Sequence, residues 1–88
     1  MTGIALRSMT IAVLLFATYA DVLGGERLTL DLPAGASVRD LLDHIRRLPG
    51  ADKLPPTPMV AVNQQYATTH HRLRTGDEVA IIPPVAGG

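Results

Sequence analysis

The sequence predicts an α+β domain in which a mixed sheet of four to five strands carries one main helix, at about residues 37–48, on one face. Three observations predict it. Residues 9–17 are apolar on both sides of an extended chain. Residues 37–48 repeat at helical spacing between a cap and a Pro-Gly stop. Three further short segments carry strand-like patterns bounded by turn residues. With 88 residues, 47% of them hydrophobic, the chain can build one core but not a spacious internal active site.

Met9 to Ala17 reads as the central strand. Ile11, Val13 and Leu15 fall on one side, and Ala12, Leu14 and Phe16 on the other. A longish connection containing Gly24-Gly25 leads to a second strand, Arg27 to Leu32, in which Leu28, Leu30 and Leu32 alternate with polar residues. Pro33-Ala34-Gly35 ends it. Ser37 and Asp40 then have the spacing of a capping box, although Asp is shorter than the preferred Glu. Val38, Leu41, Leu42, Ile45 and Leu48 share one helix face. Asp40 and Asp43 lie early and Arg46 and Arg47 late, complementing the helix dipole, and Pro49-Gly50 stops the helix. Residues 50–58, with Pro55, Pro56 and Pro58, read as an extended loop. Met59 to Val62 is a strand, Asn63-Gln64-Gln65 a turn, and a short segment around Tyr66 follows. After Thr75-Gly76-Asp77, Glu78 to Ile82 forms the last strand, with Val79 and Ile81 on one side and Ala80 and Ile82 on the other. The order is β-β-α-β-(β)-β.

At the N-terminus, Arg7, the run Ile11 to Ala17 and Thr18-Tyr19-Ala20 imitate a signal peptide, but cleavage there would delete the best strand. The run is also too short to span a bilayer. Met9-Thr10 repeats Met1-Thr2, so residues 1–8 are expected to be a disordered extension ahead of a domain at 9–82.

Eight basic residues balance eight acidic ones, and the aromatics are only Phe16, Tyr19 and Tyr66. Both facts argue against nucleic acid, which asks for a basic surface and stacking platforms. The absence of cysteine removes disulfides, thiolate catalysis and Cys-bound metals. His70 and His71 are adjacent and diverge in extended chain. Asp40 and His44 could share a cation but lack a third ligand. Ser37, His44 and Asp43 can be assembled as a triad on paper, yet Ser37 has a capping role and no oxyanion site accompanies it. No metal site and no independent enzyme activity are expected.

Two features remain. One helix covers one face of a sheet, so Leu14, Phe16, Ala80 and Ile82, joined by Tyr66, would form an apolar patch on the uncovered face. Such a patch marks a partner surface unless the loop at 50–58 folds over it. The second is the tail at 83–88. Pro83 and Pro84 stiffen the exit from the last strand, and Val85-Ala86-Gly87-Gly88 follows. A stem with a slim Gly-Gly tip can carry a terminal carboxyl into another protein's narrow pocket. The other reading of such an end is a frayed terminus.

Several stretches together carry a family resemblance: Val13-Leu14-Leu15-Phe16-Ala17; Leu32-Pro33-Ala34-Gly35-Ala36-Ser37-Val38 with Asp40-Leu41-Leu42; Val60-Ala61-Val62-Asn63-Gln64; and Gly76-Asp77-Glu78-Val79-Ala80 through Pro83-Pro84-Val85-Ala86-Gly87-Gly88. From Met9 onward the chain resembles the molybdopterin synthase small-subunit (MoaD) family, ubiquitin-like sulfur carriers of β-grasp fold with ThiS-like relatives. The resemblance implies that a ubiquitin-activating-type (MoeB-like) adenylyltransferase uses ATP to adenylate the carboxyl of Gly88. A sulfur donor then converts it to a thiocarboxylate. The tail, Pro83, Pro84, Val85, Ala86 and Gly87, would insert into a large (MoaE-like) subunit, where the sulfur adds to a cyclic pyranopterin precursor. Two small and two large subunits would form a heterotetramer, with Phe16, Tyr66 and Ile82 at the apolar interface. The resemblance further implies a cytoplasmic carrier that binds no cofactor, nucleic acid or membrane. The chain departs from the family where many relatives carry Arg-Glu and it has Ala20-Asp21, and in its proline-rich loop.

Other readings share parts of this pattern. A related carrier could feed thiamine, cysteine or tRNA thiolation. A ubiquitin-like modifier would join Gly88 to lysines. A secreted binding domain would require cleavage near Ala20.

Overall fold

A computed structural model describes residues 7–55 and 58–83. Its elements are β1 (Ser8–Leu15), α1 (Ala17–Leu23), β2 (Arg27–Pro33), α2 (Val38–Arg46), β3 (Met59–Val62), β4 (Gln65–Tyr66) and β5 (Glu78–Ile82). A 3-10 turn at Ala51–Lys53 lies between α2 and β3. The five strands form one sheet in the order β2-β1-β5-β3-β4. The β1–β5 pair is parallel and the other pairs are antiparallel, so the sheet is mixed. Central strand β1 pairs on both sides, which explains a sequence apolar on both faces.

The core lies between the sheet and the helices. Ile11, Val13 and Leu15 of β1 and Val79 and Ile81 of β5 meet Val38, Leu41, Leu42 and Ile45 of α2. α2 follows its sequence closely. Ser37 Oγ accepts the Asp40 amide at 3.3 Å, while the Asp40 carboxylate accepts the Ser37 amide at 2.9 Å, so the capping box forms with Asp in the Glu position. The Val38 and Arg39 amides are taken by the carbonyls of His71 and Thr69 at 2.9 and 3.0 Å. The helix ends two residues before Leu48. There the amides of Arg47 and Leu48 reach back only three residues, to His44 and Ile45.

Three expectations need correction. The first strand stops at Leu15 and opens at Ser8, one residue ahead of Met9; Arg7 already accepts the Ala34 amide at 2.8 Å. Residues 17–23 form α1, where the sequence suggested the end of a strand and then a loop. Seven residues hold too little of a helical period to compete with the apolar run before them. Tyr19 and Ala20 of α1 join the core, and Gly24, at φ 90°, ends the helix with its amide on the Ala20 carbonyl. The buried Ala20 leaves only Asp21 exposed at the position where relatives carry Arg-Glu.

The loop at 50–58 does not fold over the uncovered sheet face in its described part. Its 3-10 turn packs against α1 and α2, with Ala51 buried. Gly50 makes this possible: at φ 90°, it approaches the Val22 carbonyl so closely that a Cβ would collide with it. Residues 56 and 57, the expected extension at 1–6 and the tail at 84–88 lie outside the described residues.

Candidate functional site

The open face of the sheet carries a groove. Its floor is a row across four strands, since Leu14 pairs with Ala80, Ala80 with Ala61, and Ala61 with Tyr66. Residues paired in adjacent strands share a face. Two alanines in the middle leave a trough between larger side chains. Phe16 and Ile82 close one end, and Gln64 and Glu78 complete a lining that encloses about 370 Å³. Phe16 is 47% and Tyr66 73% exposed, unusual values for large apolar side chains in a small domain.

Each wall is placed by a local device. Phe16 is the N-cap residue of α1, and the following Ala17 has φ 51°. That left-handed residue turns the chain directly from β1 into α1, leaving Phe16 on the open side. Tyr66 is presented by a two-residue hairpin turn at Asn63-Gln64, with φ 50° and 71°, the backbone that tight hairpins require. Asn63 anchors the turn. Its amide side chain donates to Asp77 Oδ1 at 2.9 Å and accepts the Glu78 amide at 3.0 Å, tying the hairpin to the start of β5. Asp77 also accepts the Arg74 amide at 2.7 Å. At the rim, Arg27 and Glu78 stand 3.8 Å apart and well exposed, a contact too solvated to add much stability.

The structure therefore brings together Leu14, Phe16, Tyr66, Ala80 and Ile82, the residues expected on the uncovered face. It adds Ala61, Gln64 and Glu78, which sequence reasoning missed. Alternation in β3 sets Ala61 apart from Val60 and Val62, but only the register to β4 and β5 reveals its neighbours. Half-buried Pro83 directly follows Ile82, so the chain leaves β5 beside the groove; Pro84, Val85, Ala86, Gly87 and Gly88 lie outside the described residues.

The paper triad does not assemble as a working site. The Ser37 hydroxyl is engaged in the cap of α2 with Asp40, at 3.2 and 3.3 Å. The Ser37 amide, then its hydroxyl, hold the Asp40 carboxyl below its ordinary pKa. Asp43 and His44 line a separate polar cleft with residues 32–36, Asp40 and Arg47. Among the described residues no three His, Asp or Glu side chains gather as a cation site, and no helix is long and apolar enough to cross a membrane.

With the fold and groove in place, the comparison with known proteins is specific. The model of the ThiS family matches residues 13–88, from the middle of β1 through the Gly-Gly end. The chain belongs to the ThiS family. This family member is 42% identical to the molybdopterin synthase sulfur carrier subunit of Chlamydomonas reinhardtii over 83 residues, covering 91% of this chain and 100% of the relative. Its fold matches SAMP1 from Haloferax volcanii, a small archaeal modifier protein, with a TM-score of 0.76 and 31% identity over 90% of this chain and 99% of the other. It also matches a chain in the complex of subunits 1 and 2 of the molybdopterin-converting factor from Helicobacter pylori, with a TM-score of 0.68 and 20% identity over 91% and 100% of the two chains. These are ubiquitin-like β-grasp neighbours, and the sheet is of that kind.

Proposed function

We propose that this ThiS-family chain is the sulfur-carrier subunit of a molybdopterin synthase and that its reacting group is the carboxyl of Gly88. The observation that carries this reading is the 42% identity over the full length of a relative bearing that name. The chain's own chemistry supports it: a protein without cysteine can carry sulfur on its main chain.

A carboxylate is a poor electrophile. Attack of a Gly88 carboxylate oxygen on the α-phosphorus of ATP, catalysed by an adenylyltransferase, expels pyrophosphate and leaves a mixed anhydride. A sulfide-level sulfur nucleophile then adds to the carbonyl carbon, AMP departs, and a thiocarboxylate remains. The described chain has no catalytic role in these steps. Its groove supplies a docking surface, with Phe16, Tyr66 and Ile82 buried against a large subunit. The stem from Pro83 through Gly87 then extends the thiocarboxylate into that partner's active site, where its sulfur passes to a cyclic pyranopterin precursor. Two loaded tails supply the two sulfurs of each dithiolene, which suits an assembly of two small and two large subunits. ATP-dependent loading places this work in the cytoplasm.

Intact mass spectrometry after incubation with the activating enzyme, ATP and a sulfide source tests the reading. The expected result is the mass change of one oxygen-for-sulfur exchange, located at Gly88. An unchanged mass with the enzyme demonstrably active on another carrier would sink it. The similarity to SAMP1 supports a second reading, a ubiquitin-like modifier joined through Gly88 to lysines. Gly-Gly remnants of this chain on lysines in cell digests would favour that reading.

A further inference from the structure

Strand β2 forms one edge of the sheet, with β1 beside it and no strand on its other side among the described residues. In an antiparallel ladder, successive residues turn their N–H and C=O groups alternately toward the neighbour and away. The Leu15 amide bonds Glu26 O at 2.9 Å, and the Ala34 amide bonds Arg7 O at 2.8 Å. With the register Val13↔Leu28 and Ile11↔Leu30, these bonds set the phase. The main-chain groups of Leu28, Leu30 and Leu32 point to β1, and those of Arg27, Thr29 and Asp31 point outward.

Those three residues are exposed, and their side chains share the open face, opposite Leu14, Ala12 and Thr10. Their order is self-complementary. A two-fold axis at Thr29 places it against Thr29 of a second copy and sets Arg27 against Asp31 twice, each as a bonded pair. That pairing would form about six main-chain hydrogen bonds. On the core side it sets half-buried Leu28 against Leu30 of the second copy. A parallel alignment would instead oppose Arg27 to Arg27.

Edge strands that resist self-pairing use a central proline, a bulge, an inward-pointing charge or like charges. From Arg27 to Asp31, β2 has none of these, and its register to β1 is unbroken. The pairing also has defined ends. Pro33 has no N–H and its carbonyl already accepts the Ala36 amide at 3.1 Å, while the Gly25 amide is committed to Ala20.

We infer that β2 pairs antiparallel with β2 of a second copy of this chain, centred on Thr29, to form a two-fold dimer with one continuous sheet. The dimer forms at the edge opposite β4, so both grooves and both exits from β5 stay open. An interface of this size supports a weak, reversible dimer, with Kd on the order of a hundred micromolar. The inference does not depend on sulfur chemistry.

Sedimentation equilibrium of the full chain from about 10 μM to about 1 mM tests it. The expected result is a concentration-dependent monomer–dimer equilibrium. Asp31→Arg creates two like-charge pairs and should weaken the dimer by about tenfold or more. Arg27→Asp with Asp31→Arg should restore it. Thr29→Pro removes an outward-facing N–H that the monomer does not use, so it should abolish the dimer while leaving the circular-dichroism melt intact. A chain that stays monomeric to the top of the range overturns the inference. So does a dimer indifferent to Asp31→Arg and Thr29→Pro, including one lost instead in Tyr66→Asp, which would place the self-contact in the groove.

Discussion

Tyr19 holds the buried side-chain oxygen that finds no hydrogen-bond partner among the described residues. Its ring belongs to the core, and its hydroxyl loses water without recompense. Tyr19→Phe should therefore stabilise the fold by about 1 kcal/mol in urea unfolding. Gly50 is the opposite case. Its φ of 90° and its approach to the Val22 carbonyl leave no room for a Cβ, and this contact joins the loop after α2 to α1. Gly50→Ala should cost about 2–4 kcal/mol, measured the same way. Gly50 was legible in the sequence as a helix stop. Its contact with α1 was not, because Val22 is distant in sequence and α1 itself was not foreseen.

Among the elements, α2 combines the most local signals: a cap, a dipole-complementing charge order, an apolar stripe and a stop. These act within a few residues of one another, so the sequence displayed the helix almost whole. The capping box also makes the helix pH-sensitive. Because Asp40 has a lower pKa folded than unfolded, its carboxylate contributes stability above the ordinary carboxylate range. That contribution fades as pH falls through the range toward the folded value. The Tm difference between wild type and Asp40→Asn should thus be present at neutral pH and narrow in acid. A difference that stays constant down to strongly acid pH would contradict the box as its cause. α1 shows the reverse. It has seven residues, no side-chain cap and no charge pattern, and packing of Tyr19 and Ala20 against the core accounts for its presence.

For the whole molecule, the groove and the tail are separable parts, and mutations should separate them. Phe16→Asp or Ile82→Asp should weaken binding to a large synthase subunit by about 2 kcal/mol or more in calorimetry, while the tail is still loaded with sulfur. Deleting Gly87 and Gly88 should leave that affinity largely intact and abolish sulfur transfer. If both changes fail in the same assay, the division of labour is wrong. By itself, the sequence determined the strand faces, the helix α2 and the single chemically distinctive end, because alternation, capping and composition are local properties of a chain. Only the tertiary structure decided which face stays open. It packed α1 and the described part of the proline-rich loop on the helix side, brought Ala61 and Ala80 side by side as a floor, and left β2 at an edge. Those outcomes depend on strand order and on contacts between distant residues, which no local pattern encodes.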